Sequence, residues 1–485
     1  MQTKKFGFVL SICFALSIGC AVAQSERNPQ LDSLLKSTDS VAVKTRLDEL
    51  FKSDKESDVN LVVQYYGRKN DVTNFERTRD IVIGRFPRGS WAHTKDANAS
   101  IEEKDPVKKE MLVNALVQKY PGYDNAMHYF DVAQTYADQK GKKVNLAKVK
   151  EYAIKATNLN YRAIVVETLL NGGHLDMASA LAKESLDTLK AKIASSPVTL
   201  SNAAAPNQMP GSNPKAEYNR YAMLYARILV KQGRPSEALA YAKEAYGAVS
   251  SPSWDFTRAY VGVLLANNEL SASYPLIVRA YRLGQATPDM KAKLKDAYVS
   301  AKGSTDGYDQ LLSSISAELR DSANAHVAQF AAAKMPAPGF TLRNIRGETI
   351  SLEALKGKVI ILDFWATWCG PCKRSFPAMQ QAVSKYKDDK NVAFLFIDTW
   401  ERTKGPLPDV KNYITSNKYS FNVLLDLQDP VTKKNNVVES YQVSGIPTKF
   451  VINKNGEIVY RLTGFSGGDD SAVEELSAMI ESARS

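Results

Sequence analysis

"VIILDFWATWCGPCKRSFP", residues 359–377, decides the fold of the C-terminal part of the chain. Its first seven residues are apolar except Asp363, a pattern expected of a strand buried on both faces of a sheet. Two cysteines follow, Cys369 and Cys372, separated by Gly370 and Pro371. Pro371 suits the first turn of a helix, where its missing N–H leaves no bond unmade. A strand that ends in a helix opening at about Gly370 is therefore predicted. Cys369 then sits at the helix start, where unsatisfied N–H groups and the helix dipole favour a thiolate. Cys372 lies deeper in the turn and is expected to be less exposed. One thiol attacks and the other resolves.

Two other uses of the pair are weaker. A structural bridge closing so short a loop constrains the unfolded chain by only about 2 kcal/mol in the loop-entropy account. A structural zinc site needs four ligands, and His93, His128, His174 and His326 all lie upstream of this domain. No metal and no cofactor are expected.

The chain has 485 residues, so several domains are expected. Hydrophobic content of 44% and charged content of 24% mark a globular protein. The net charge is +11, but from Met335 onward 19 Lys+Arg face 17 Asp+Glu, so the excess lies upstream. It forms no dense basic block and reads as a solvated face, with no nucleic-acid partner expected. At the N-terminus, Lys4 and Lys5 precede an apolar run from Phe6 to about Ile18, then "AVAQ" with small residues at Ala21 and Ala23. This is the form of an export signal spanning 1–23, with a mature start at Gln24. The alternative is a lipoprotein anchored through Cys20, although Ser17 stands where such a site usually carries Leu, Val or Ile. Removing the signal removes Cys13 and Cys20. The motif pair then offers the one possible internal disulfide, in a compartment that permits disulfides. The expected location is periplasmic.

Residues 24–330 read as an α-helical region, with apolar residues at three- and four-residue spacing and a break at "RFPRGSWA". "YNRYAMLYARILVKQGRPSEALAYAKEAYGAVSSP" (Tyr218 to Pro252) predicts helix, turn at Gly233-Arg234-Pro235, and helix. Ala226, Ala238, Ala242 and Ala245 fall where two helices must approach closely. This unit resembles a tetratricopeptide repeat, and Ala280 echoes Ala245 at a 35-residue shift, close to the period of such repeats. "GGHLDMASALAKESL" and "KVKEYAIKATNLN" are weaker copies. The Ser-, Asn- and Pro-rich stretch from Ser195 to Ala216 predicts a long loop.

"AAAKMPAPGF" (Ala331 to Phe340) marks a change of texture. "FTLRNIRGETISLEALKGK" predicts a hairpin and a short helix, and "NVAFLFID" a second buried strand. Helices are expected near Val410 to Ser416 and Val431 to Tyr441. "TKFVIN" and "IVYRLTG" flank Asn455-Gly456, a hairpin signal, and a last helix covers about Asp469 to Ala483. Strands alternating with helices and ending in a hairpin indicate an α/β domain with a mixed central sheet over 335–485.

Residues 358–464 resemble thioredoxin. "VIILDFWATWCGPC" carries the thioredoxin strand, tryptophan and Cys-Gly-Pro-Cys in order. Pro377 matches the proline that kinks the active-site helix, and "GIPT" (Gly445 to Thr448) matches the loop whose proline is cis. The leading hairpin and the extra segment between Asp398 and Tyr441 are similar to the exported TlpA-type disulfide reductases of the redoxin family. The resemblance implies a thiol:disulfide oxidoreductase with Cys369 as attacking thiol, Cys372 as resolving thiol and Asp363 as the base that handles the Cys372 proton. It implies a substrate groove formed by Trp368, Gly370, Pro371, Ile446 and Pro447, with Ile446–Pro447 cis. Partners would be protein thiols and disulfides and an electron donor, for which a membrane thiol transporter is a candidate. The helical region would serve protein docking.

Two departures matter. Ser375 replaces the glutamate that many TlpA-type members carry three residues after the second cysteine. Phe394 replaces the lysine that neighbours the buried aspartate in thioredoxin, so no cation is expected near Asp363, and its pKa should lie above the usual value. Two alternatives stand beside the reductase: a helical-repeat binding scaffold with a secondary redox domain, and a thiol peroxidase. The peroxidase needs a threonine or serine three residues before its cysteine, where this chain has Ala366.

Overall fold

The computed structural model describes residues 28–139, 143–195, 213–401, 405–465 and 467–484. The expected export signal with Cys13, Cys20 and the start at Gln24 lies outside them, as does most of the Ser195–Ala216 loop. Two compact units divide the chain: one runs to Arg234 and includes Gly247–Val249, and the other takes Pro235–Tyr246 and Ser250–Ser485.

The first unit is helical. Its described helices are α1 (Pro29–Lys36), α2 (Ser40–Lys52), α3 (Glu56–Arg68), α4 (Val72–Arg85), α5 (Ser90–Glu102), α6 (Pro106–Lys119), α7 (Ala126–Ala137), α8 (Leu146–Lys155), α9 (Leu159–Asn171), α10 (Leu175–Ser195) and α11 (Pro214–Lys231). Most starts are set by a side-chain cap. Asn28, Asp39, Asp105, Asn158 and Asn213 each accept two backbone N–H bonds at a helix start, satisfying donors the helix cannot. The expected break at "RFPRGSWA" separates α4 from α5. Neighbouring helices pack as pairs, and helices two apart also meet, as α7 does with α9 and α9 with α11. Stacked helical hairpins pack in this way.

The second unit begins with α12 (Pro235–Gly247), α13 (Trp254–Ala266), α14 (Leu270–Arg282), α15 (Pro288–Lys302) and α16 (Tyr308–Val327). Ala238, Ala242, Ala245 and Ala280 are fully buried, as their small size at close-approach positions predicts. A sheet follows, with strands β1 (Ala331–Pro336), β4 (Val359–Trp365), β5 (Val392–Asp398), β6 (Val423–Leu425), β7 (Thr448–Ile452) and β8 (Glu457–Thr463) in the order β1-β8-β7-β4-β5-β6. β4, β5 and β6 are parallel, and β7, β8 and β1 join antiparallel. Strands β2 (Thr341–Arg343) and β3 (Thr349–Ser351) form the expected separate hairpin. Helices α17 (Gly370–Lys385), α18 (Leu407–Ser416), α19 (Asn436–Ser440) and α20 (Asp469–Ala483) complete the layers. The chain is thus α-helical first and then a thioredoxin-like α/β domain with a mixed six-stranded sheet.

Three elements differ from the reading of the sequence. "AAAKMP" is an edge strand, β1, rather than only a boundary. β6 went unrecognised because "VLL" is three residues long, too short to show a period. α19 is confined to Asn436–Ser440, because Asp429 caps a turn through the N–H groups of Val431 and Thr432 and holds the preceding segment out of the helix.

Strand alternation sorts the core. Val359, Ile361 and Trp365 of β4 join the cluster containing Cys369, Cys372, Phe376 and Met379. Ile360, Leu362 and Phe364 join the opposite cluster with Phe450 and Tyr441. Asp363 therefore shares the α17 face with Trp365 and the two cysteines.

Candidate active site

Strand β4 ends at Trp365 and α17 begins at Gly370, so a four-residue turn presents the first cysteine. Cys369 is the N-cap of α17, and its sulfur accepts the Cys372 N–H at 3.2 Å. A sulfur so placed receives a donor that the helix leaves unpaired, which favours a thiolate there. Pro371 stands in the first turn and Pro377 inside the helix. Cys369 and Cys372 are joined in a disulfide. Both are buried, Cys369 at 3% exposure and Cys372 at 0%, so the order of exposure is the expected one and the gap is small. Trp368 is 40% exposed, and its indole N–H donates to the Trp400 carbonyl at 2.9 Å.

The loop before β7 comes against the pair from the other side. Ile446–Pro447 is cis, and the Ile446 carbonyl oxygen lies 3.6 Å from the Cys369 sulfur. The Pro447 carbonyl accepts the Gly464 N–H at 2.8 Å and the Thr448 hydroxyl donates to the Gly445 carbonyl at 2.7 Å, which fixes this loop on β8. Trp368, Gly370, Pro371, Ile446 and Pro447 thus belong to the two segments that converge on Cys369.

Asp363 is 1% exposed, and burial raises its pKa. The direction is the expected one, but the expected absence of a cation is wrong. Lys449 of β7 stands opposite Asp363 in the antiparallel register, with its Nζ 3.3 Å from Oδ2. Its charge lowers the Asp363 pKa and opposes the larger effect of burial. Neither group makes a well-aligned hydrogen bond, so the contact is an ion pair. Phe394 of β5 lies opposite Ile361, and the cation comes instead from β7, the strand on the other side of β4. Ser375 is buried and donates to the Cys372 carbonyl at 2.8 Å.

A second acidic group lies at the carboxyl ends of β5 and β6. Asp398 is 1% exposed, and burial, then the Glu401 carboxylate, push its pKa up to about 9. Glu401 accepts the Thr367 backbone N–H and, at 2.8 Å, the Thr367 hydroxyl. The hydroxyl nearest the peroxidatic spacing is therefore already engaged. Trp400 adopts φ 53°, a left-handed conformation that costs a bulky residue about 1–3 kcal/mol. Asp426 accepts the N–H groups of Val437 and Val438 and the Thr399 hydroxyl.

An AhpC/TSA family model matches residues 333–461. The thiol-disulfide oxidoreductase ResA of a Bacillus cereus strain is 34% identical over 128 residues, covering 26% of this chain and 68% of the relative. The chain belongs to the ResA-type thiol-disulfide oxidoreductases. ResA of Halalkalibacterium halodurans is 33% identical over 145 residues, 30% of this chain and 75% of its own. Among solved structures, a thiol:disulfide interchange protein of the thioredoxin family from Chlorobium tepidum TLS is 28% identical, covering 30% of this chain and 98% of that one at a TM-score of 0.26. StoA from Bacillus subtilis is 27% identical, with 30% and 97% covered and a TM-score of 0.25. This protein is a thiol:disulfide oxidoreductase, and the family-model match at residues 333–461 spans the paired cysteines.

Lys449 and Glu401 were missed from sequence. Lys449 had a signal: it and Asp363 are the only charges in two buried strands, and opposite charges on paired strands tend to face each other. Glu401 had none, because it follows β5 in a loop without a repeat or motif.

Proposed function

We propose that the protein reduces disulfides of other proteins through the Cys-Gly-Pro-Cys pair, outside the cytoplasm, with the helical region (24–330) docking partners for the thioredoxin-like domain (335–485). The observation that carries this reading is Cys369 at the N-cap of α17, with the Ile446 carbonyl oxygen 3.6 Å from its sulfur. The Cys369 thiolate attacks a substrate disulfide: a Cys369–substrate bond forms, and the released substrate sulfur takes up a proton. Cys372, giving its proton to Asp363, then attacks Cys369. The Cys369–Cys372 bond forms, the second substrate thiolate leaves and is protonated, and two electrons have passed to the substrate. A dithiol donor must reverse this on the enzyme, and a membrane thiol transporter has the required chemistry. Trp368, Gly370, Pro371, Ile446 and Pro447 line the groove in which an extended substrate segment pairs with the loop backbone.

The contacts between neighbouring and next-neighbouring helices of the first unit support a tetratricopeptide-like reading of the docking region. Among the described residues no helix is long and apolar enough to cross a membrane. The test is to express the full chain with Cys372→Ser in an exporting host. Covalent adducts at Cys369 that dithiothreitol releases are expected, together with insulin reduction by the unsubstituted protein. No adduct and no insulin reduction from a folded, fully reduced protein would sink the reading.

A further inference from the structure

Four hydrogen bonds lace the segment after β5 to the turn that presents Cys369. The Thr399 N–H donates to the Trp365 carbonyl at 3.0 Å. The Trp368 indole donates to the Trp400 carbonyl at 2.9 Å. Between them, the Glu401 carboxylate takes both the N–H and the hydroxyl of Thr367. Trp400 holds the left-handed conformation at the centre of this lacing. A strained bulky residue persists where the surroundings over-determine it.

We propose that Glu401 is a positioning residue of the thiol-disulfide site: it fastens the Thr367–Trp368 turn and sets a negative charge beside Cys369. The inference rests on the proposed use of Cys369 as attacking thiol. Asp398 is buried beside Glu401, and burial, then the Glu401 carboxylate, push the Asp398 pKa up. The other charged groups near the site differ in reach. Arg374 lies near Gly370, Lys373 stands over the Tyr413 ring, Asp363 is paired with Lys449, and Asp426 is engaged by Thr399 and the α19 N–H groups.

A negative charge there opposes the helix start. It destabilises the Cys369 thiolate, hence the reduced form, and makes the couple more reducing. Stabilising the reduced form instead gives an oxidant. Glu401 thereby supplies, from another loop, a carboxylate that Ser375 does not.

The test uses the full chain with Glu401→Gln, which keeps the shape and one acceptor. The rate of Cys369 alkylation against pH gives the thiol's acidity, and equilibration with glutathione at pH 9, where the thiolate is populated, gives the couple. For a charge partly screened by water, the thiolate fraction at neutral pH should rise about three- to tenfold, and the equilibrium should move towards the dithiol by a similar factor. Thr367→Val, which unfastens the carboxylate without removing its charge, should shift both in the same direction by less, and serves if the first variant does not fold. Asp398→Asn, which replaces one neutral donor by another, should shift neither. Unchanged acidity and equilibrium in folded Glu401→Gln or Thr367→Val would overturn the proposal, while absence of thiol exchange in the parent protein would instead overturn the use of Cys369.

Discussion

Replacing Lys449 with methionine tests whether the buried pair in β4 and β7 serves the chemistry. At 3.3 Å and an effective dielectric constant of about 20, the two charges attract by about 5 kcal/mol before desolvation is subtracted. Breaking a buried pair by removing one partner costs about 3–5 kcal/mol, a large part of a domain's total stability. The cost must depend on pH. Burial raises the Asp363 pKa above its unfolded value, so the stability tied to its proton is fully present below the unfolded pKa. That stability is lost as pH rises through the folded pKa. Lys449 opposes this loss by favouring the carboxylate, and without it the loss extends to higher pH. Urea unfolding should therefore show a deficit that is small near pH 4 and largest near pH 8. Chemistry should follow the same proton. With Asp363 held protonated at neutral pH, the Cys372 thiol loses its base. In a reaction with an aromatic disulfide reagent, the first thiol release, by Cys369, should change little. The second, by Cys372, should slow by at least about tenfold, since less Asp363 is in the carboxylate form and general-base help is worth about 10²–10⁴-fold, and recover as Cys372 ionises unaided. A deficit independent of pH, with both releases at parental rates, would refute the coupling.

Asp363→Asn should likewise slow only the second release near neutral pH, and equal rates across the pH range in a folded variant would make Asp363 structural. Limiting iodoacetamide on the reduced protein should label Cys369 before Cys372, which peptide mass mapping decides, and preferential labelling of Cys372 would reverse the assignment. Pro447→Thr should prolong mixed disulfides or lower turnover with insulin, because the loop backbone beside Cys369 would no longer be set for an extended partner. Unchanged kinetics would remove that role.

The redox site was legible because its signals are local. Cys369, Pro371 and Pro377 declare a helix start and kink within nine residues, and Asp363 stands alone in an apolar strand. What was missed depends on pairing between distant segments. The partner of Asp363 follows from which strand lies beside β4, and the sheet places β7 there, not only β5. The role of Ala331–Pro336 depends on β8 having a free edge to cover. The Glu401 contact needs the left-handed turn at Trp400, for which tryptophan gives no local cue. In the helical part, the three- and four-residue spacing marked helices, and Ala238, Ala242, Ala245 and Ala280 marked buried positions, while the caps at Asn28 and Asp39 went unread.

The unit that folds around the site is larger than the thioredoxin-like domain itself. Val327, the last residue of α16, is part of the same buried cluster as Leu476, Met479 and the two cysteines. The turn between α14 and α15 meets the start of α20 backbone to backbone. The Gly284 carbonyl accepts the Asp470 N–H at 3.1 Å, and Lys291 pairs with Asp470 at 2.6 Å. Both Gly284 and Gly468 are required there, because a Cβ on Gly468 would overlap the Gly284 carbonyl oxygen, and one on Gly284 would overlap Ser471. An orphan donor of α20 is thus satisfied by a helical hairpin over 180 residues earlier in the chain. Cutting the chain at Met335 would remove that acceptor, expose Val327's partners and leave most of β8 as an unpaired edge, which favours association with other strands. A variant at Gly284 therefore perturbs the redox unit through packing alone, without touching a residue near Cys369.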